Sequence, residues 1–297
     1  SNTLFFFDKK GNFLHKYKKK KYRVNSIQFV PSKNALFIVG RNKNYTIPPA
    51  KAQQLIQQSS KQDFSKYVSL ELIHLEKNYT VEHLPVPRYA LNDIYYFNGK
   101  YVTINDRYNK YITDTVAYHV NVIEEDKIVR SYFPFLNLPK LWPFYESVDI
   151  AVDNTQSDTA FYITRQFDNT VYALSPDSLY TSYPFVFPAD KTMPASFQST
   201  LFKNNIDFNT AKNKNNKVIS SFYNVLKHQH VLFFSTNTLS YERKNFLFNT
   251  INKKLYDLGK ITSDSTIHFL PSKIFATVSE QDADYVYTRI SSADLLK

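Results

Sequence analysis

Two kinds of hairpin alternate strictly along this chain, and each kind recurs five times. The first kind is an apolar run, a polar turn and a second apolar run. It reads as 27–30, Pro31-Ser32-Lys33-Asn34, 36–39, and again as 94–97, Asn98-Gly99-Lys100, 101–104, with further copies near 148–163, 222–234 and 266–278. The second kind is a pair of strands around a polar turn, clearest at 4–7, Asp8-Lys9-Lys10-Gly11, 12–17, with looser copies at 70–84, 117–133, 171–185 and 246–258. Short Val, Ile, Tyr and Phe-rich runs between Asn, Asp, Ser, Pro and Gly clusters are strands. One hairpin of each kind makes a four-stranded unit, and units repeated every roughly 40 to 50 residues mean the blades of a β-propeller.

The chain begins with a hairpin of the second kind and ends with one of the first. If these halves share a blade, the ring closes and leaves no exposed sheet edge. The count is then five blades, with room for a sixth at 201–217 or 285–290. All 297 residues read as one closed all-β domain, 1–297, since no linker divides them. Helix is expected only at 50–60, behind Pro48 and Pro49, and as a last turn at 291–296.

With 25 Phe and 23 Tyr the chain has ample aromatic surface to fill the space between stacked sheets. Only 4 glycines are present, so Asn, Asp, Ser and Lys must make most of the turns. No cysteine occurs, which excludes disulfides, thiolate metal sites and a cysteine nucleophile. No apolar stretch is long enough to span a bilayer.

A formal charge of +11 invites anionic partners, whether nucleic acid, acidic glycan or lipid. The sharpest basic clusters are Lys16 to Arg23 and the Asn/Lys-rich stretch 203–217. Both are read as loops whose lysines are solvated, and no nucleic-acid recognition element accompanies them.

The hairpin Phe5-Phe6-Phe7-Asp8-Lys9-Lys10-Gly11-Asn12-Phe13-Leu14, the run Asp168-Asn169-Thr170-Val171-Tyr172-Ala173-Leu174 with Leu179-Tyr180-Thr181-Ser182-Tyr183, and Phe246-Leu247-Phe248-Asn249 with Lys254-Leu255-Tyr256-Asp257-Leu258 carry a resemblance. They look like the six-bladed β-propeller proteins of gut bacteria, mostly exported proteins or lipoproteins, related in architecture to NHL-repeat and TolB-like propellers. The resemblance spans essentially the whole chain and rests on strand-and-turn grammar. It implies six blades, export to the periplasm or cell surface with the signal segment absent from this sequence, and a binding or scaffold role. It brings no catalytic residues. Where that family has a glycine-rich connection after the first hairpin, this chain has Lys18 to Arg23.

In a propeller the first strand of each blade starts, and the second ends, at the same face. Polar residues open every first strand: Asn25-Ser26, Asn92-Asp93, Glu146-Ser147, Ser220-Ser221 and Asp264-Ser265. Arg41, Arg107 and Arg165 follow three of the second strands at similar offsets. A rim where these converge would suit an anionic or glycan-like ligand, because arginine offers a two-pronged donor to carboxylate, sulfate or phosphate. The plainer alternative is that the polar starts hold channel water and the arginines pair with nearby acids. Trp142, in a Pro-bounded loop leading to Glu146, is either a sugar platform at the rim or a plug between blades.

The chain thus reads as a monomeric binding module whose partner is a glycan, a small anion or a protein, rather than as an enzyme. No cofactor is required. The alternative is a calcium-dependent, lactonase- or esterase-like hydrolase with an axial metal held by Asn92, Asp93, Glu146, Asp149 and Asp264. The seven histidines are scattered, and even His228 and His230 sit at a turn, which argues against zinc. A nucleophile elbow, a phosphate-binding glycine loop and a dinucleotide fingerprint are all missing.

Overall fold

The computed structural model describes residues 3–44, 64–87, 93–97, 99–105, 116–136, 148–152, 161–175, 177–194, 197, 200, 202–260, 278–281 and 286–288. The chain forms two compact units, Ser1–Pro139 and Lys140–Lys297.

In the first unit β1 (Thr3–Phe7) and β2 (Phe13–Lys18) form an antiparallel hairpin. Two four-stranded meanders follow. One is β3 (Tyr22–Val30), β4 (Ala35–Asn42), β5 (Val68–His74) and β6 (Thr80–Leu84), and the other is β7 (Asp93–Phe97), β8 (Lys100–Ile104), β9 (Val116–Glu124) and β10 (Lys127–Leu136). The second unit repeats the plan with β11 (Val148–Val152), β12 (Phe161–Arg165), β13 (Thr170–Leu174) and β14 (Leu179–Pro184), then β15 (Ile219–His228), β16 (Val231–Thr238), β17 (Arg243–Asn249) and β18 (Leu255–Asp257). A short hairpin of β19 (Val278–Gln281) and β20 (Val286–Thr288) completes it.

The fold class is that of an all-β propeller. Each meander joins one hairpin of the first kind to the next hairpin of the second kind, as the alternation required. Four complete blades lie among the described residues, rather than five. The last hairpin of the first kind, 266–278, falls outside them apart from Val278. The stretch 201–217, a possible hidden blade, instead holds α1 (Asn205–Lys214). Asn204 caps it, its side chain accepting from the Asp207 N–H at 2.9 Å. The other possibility, 285–290, contains β20, which pairs only as a two-stranded hairpin among the described residues. The helices expected at 50–60 and 291–296 lie outside the described residues.

Alternation of period two sets the packing. In the first unit Phe37, Val39, Leu70 and Leu72 point from one blade toward Ile94, Tyr96, Tyr101 and Ile123 of the next. In the second, Tyr162, Val171 and Ala173 meet Phe222, Leu232 and Phe234, with the Phe185 ring 4.8 Å from that of Phe234. Each such side chain gains roughly 1.5–3 kcal/mol from burial. Polar stitches fix the spacing of neighbouring sheets. The Gln28 amide donates to the Tyr96 carbonyl at 2.8 Å and accepts from the Tyr96 N–H at 2.9 Å, while the Thr164 hydroxyl donates to the Phe222 carbonyl at 2.8 Å. The turns use Asn34, Asp126 and Gln229 at positive φ, with Gly11 and Gly99 at the two tightest.

Candidate anion site at the end of β3 and β4

The expected rim lies where β3 starts and β4 ends. The strands pair as Tyr22 with Asn42, Arg23 with Arg41 and Val24 with Gly40, after a bulge at Asn25. Two arginines are therefore direct cross-strand neighbours. The end is held square by its polar groups. The Tyr22 hydroxyl donates to the Ser65 carbonyl at 2.6 Å, the Asn42 amide to the Lys66 carbonyl at 2.7 Å, and the Lys43 ammonium to the Lys20 carbonyl at 3.1 Å. These bonds draw the backbone at Lys20 and Lys66 to the same strand end, where Lys20, Lys21, Lys43 and Lys66 are all exposed.

Arg41 follows Phe37 and Val39 on the face that packs against β7, so its guanidinium stands at the mouth of the gap between two blades. Burial lowers its pKa, and the carboxylate of Asp93, the first residue of β7, works against that shift. Like charges directly opposite on a sheet cost roughly 0.2–1 kcal/mol. An anion bridging Arg23 and Arg41 would reverse the sign of that cost.

The opposite face of the same blade deals with charge differently. The Lys19 ammonium lies 3.1 Å from one Glu71 oxygen, and both side chains are buried. The Tyr17 hydroxyl donates to the other Glu71 oxygen, and Lys19 also donates to the Ser69 hydroxyl. Burial, then the Glu71 hydrogen bond, pushes the Tyr17 phenol well above its ordinary value. Gly40 makes the room: a Cβ there would stand 2.5 Å from Ser69 Oγ and 2.6 Å from Lys19 Nζ. The basic cluster 16–23 is therefore no solvated loop. Lys16 and Lys18 lie on β2, Arg23 lies on β3, and Lys19 is an internal ion pair. Likewise Lys212 and Lys214 belong to α1.

In the second unit the corresponding ends are built differently. Arg165, the last residue of β12, lies 3.7 Å from Asp168, whose carboxylate accepts from the Tyr172 hydroxyl at 2.7 Å. Tyr172 is pushed up to about 12 by burial and then by that hydrogen bond. At the start of β15 the buried Ser220 hydroxyl donates to the Asn237 carbonyl at 3.0 Å. Over it lies a small core of Phe167, Met193, Phe197, Phe202, Val218 and Leu239, backed by Phe208 and Ala211 of α1.

Of the residues expected at the rim, Arg41 and Asp93 come together in the first unit, and Arg165 belongs to the second with an acid of its own. Asn92, Arg107, Trp142 and Glu146 lie outside the described residues. Arg23 was missed as a partner of Arg41. Counting back from the turn at 31–34 puts Val24 opposite Arg41, and only the bulge at Asn25 brings Arg23 there. Among the described residues no group of three or more His, Cys, Asp or Glu is placed to hold a metal ion. Asp264 and the side chain of Asp149 are outside that description. No helix among the described residues is long and apolar enough to cross a membrane.

A propeller is an architecture consistent with a binding or interaction module. No protein-family model matches the chain, and no curated protein matches it in sequence. Among solved structures, the Pyrococcus horikoshii acylaminoacyl peptidase aligns with a TM-score of 0.34 at 9% identity, over 88% of this chain and 37% of that one. Apo AztD from Citrobacter koseri aligns with a TM-score of 0.34 at 9% identity, over 86% and 67%. A Mycobacterium tuberculosis puromycin-hydrolyzing peptidase gives 0.31 at 9%, over 80% and 38%. The chain thus spans little more than a third of the length of either peptidase.

Proposed function

We propose that this protein is an exported, monomeric binding module that takes an anionic ligand, a carboxylated or sulfated glycan or a smaller anion, at the open end of β3 and β4. The observation that carries the reading is the cross-strand pairing of Arg23 with Arg41, at a strand end whose neighbouring segments carry exposed lysines. Two guanidinium groups on adjacent strands match the two-pronged geometry of carboxylate or sulfate. The Asp93 carboxylate lies close enough to act on the Arg41 charge.

Titration calorimetry with sulfated and with neutral oligosaccharides tests this. The sulfated series should bind, weaken steeply as salt rises from low to about 0.5 M, and lose about tenfold or more in affinity in Arg41→Ala and in Arg23→Ala. Equal affinity for neutral and sulfated sugars, or an unchanged affinity in both variants, would remove the proposal.

A further inference from the structure

The β1–β2 hairpin presents two unlike faces. Phe6 and His15 turn inward, packing with Tyr79, whose ring stacks on His15 at 4.6 Å. Phe5, Phe7 and Phe13 turn outward and are 54%, 58% and 58% exposed, and Leu14, at the register shift beside Phe13, is 50% exposed. Phe7 and Phe13 are cross-strand partners with ring centroids 6.1 Å apart. Lys16 is paired across from Phe5 with its ammonium 5.5 Å from that ring, and Lys18 follows on the same face.

The hairpin itself, 3–18, carries Lys9, Lys10, Lys16 and Lys18 and one acid, Asp8. All four lysines are exposed. Asp8 is absorbed by its own turn, accepting from the Lys10 and Asn12 N–H groups at 2.8 Å. The surface is therefore a bare aromatic centre with a lysine margin. Large apolar side chains exposed side by side mark an interaction surface rather than ordinary solvent-facing residues.

We infer that this outer face of the β1–β2 hairpin docks on an anionic lipid bilayer. A bilayer interface removes the Phe rings and Leu14 from water while its phosphates meet the ammonium groups, whose alkyl stems reach sideways to the headgroups. A soluble polyanion satisfies the lysines but leaves the apolar centre of a convex hairpin wet. The bilayer is thus the partner that accounts for both halves of the surface. It is a separate strand pair from the Arg23 and Arg41 end and does not depend on that site.

The experiment is co-sedimentation of the 297-residue chain with vesicles of phosphatidylcholine alone and of phosphatidylcholine with phosphatidylglycerol. Binding should require the anionic lipid and weaken about fivefold for each lysine removed in Lys16→Gln and Lys18→Gln. It should fall about tenfold or more in the double variant Phe7→Ser, Phe13→Ser. Thermal melts of these surface variants should stay close to the parent, showing that the fold is intact. Absence of binding to anionic vesicles at low salt overturns the inference, as does equal binding to neutral ones. Binding that needs the lysines but ignores the Phe double variant overturns it too, and would assign the face to a soluble polyanion such as a nucleic acid or an acidic glycan. Loss of vesicle binding in Arg41→Ala with no effect of the Phe variants would move the contact to β4 and equally sink the hairpin.

Discussion

The first blade and the fourth end their inner strand pairs in opposite ways. At the end of β3 and β4, Arg23 faces Arg41, and the adjoining Lys20, Lys21 and Lys43 are exposed. At the corresponding end of β15 and β16, Ser220 is buried and bonded to the Asn237 carbonyl, under a cover of Phe, Met, Val and Leu side chains. The meander topology is the same, so topology does not determine which end is available to a ligand. The connection that precedes the first strand does. Among the described residues the short link through Lys20 and Lys21 puts no apolar cover over the first end, whereas the long connection before β15, with α1, buries the other.

The largest effect should come from the charge that the first blade has put inside. Glu71→Ala would strand Lys19, buried at 4% exposure, and should cost about 3–5 kcal/mol in urea unfolding. Replacing both partners, as Lys19→Met with Glu71→Leu, should recover most of it. A cost below about 1 kcal/mol for Glu71→Ala would mean that the blade keeps its cations solvated on both faces, and the contrast between an open end and a locked face would be lost.

Next is the cover over the fourth blade. Phe202 is 5% exposed and touches the rings of Phe197 and Phe208. Phe202→Ala should cost about 3 kcal/mol, and amide exchange should quicken first at Leu239 and Ser240, whose N–H groups donate to Val218 and Asn216 carbonyls. Protection unchanged at those amides would show that the serine end is shut by its own strands and not by the insertion. A smaller loss, about 1 kcal/mol, is expected for Thr164→Val, which removes the donor to the Phe222 carbonyl and tests whether the third and fourth blades depend on that stitch.

The Arg165 cluster offers a comparison by pH. Tyr172 titrates at about 12 in the folded protein against 10.0 for a free tyrosine. Below pH 10 the phenol is protonated in both states and its contribution is complete. Between about 10 and 12 the unfolded chain releases the proton first, so stability falls as pH rises, and beyond that no more is lost. Tyr172→Phe should flatten this limb of the stability curve. An unchanged slope would detach Tyr172 from Asp168 and leave the Arg165 ion pair without its second support.

Much of this architecture can be read from the residues, because period-two alternation and turn composition are local signals. The runs 70–84, 171–185 and 246–258 fall on β5–β6, β13–β14 and β17–β18 within three residues. Helix α1 is hidden because its sequence carries little apolar period: beside Asn205, Asp207, Asn209, Lys212 and Lys214, the Asn204 cap and the contacts of Phe208 and Ala211 hold it. Lys19 looks like one more solvated lysine in a basic run, and its acid is far away in sequence on a different strand. The bulge at Asn25 has no composition signature, yet it alone decides that Arg23 and not Val24 stands opposite Arg41.

That register yields the smallest expected change in stability and the one whose sign matters most. Arg41→Leu extends the apolar stripe of Phe37 and Val39, removes a like-charge neighbour of Arg23 and gives up the attraction to Asp93. Arg41 is partly buried, so the net change should stay within about 1 kcal/mol of zero, and relief of the Arg23 repulsion points toward a slight gain. Anion binding should collapse in the same variant. Residues kept at a small cost to the fold are those retained for function, so stability held or raised while affinity falls marks the β3–β4 end as a site. If Arg41→Leu instead destabilises by more than about 1 kcal/mol, the guanidinium belongs to the interior of the first unit, as Lys19 does, and the open end is closed after all.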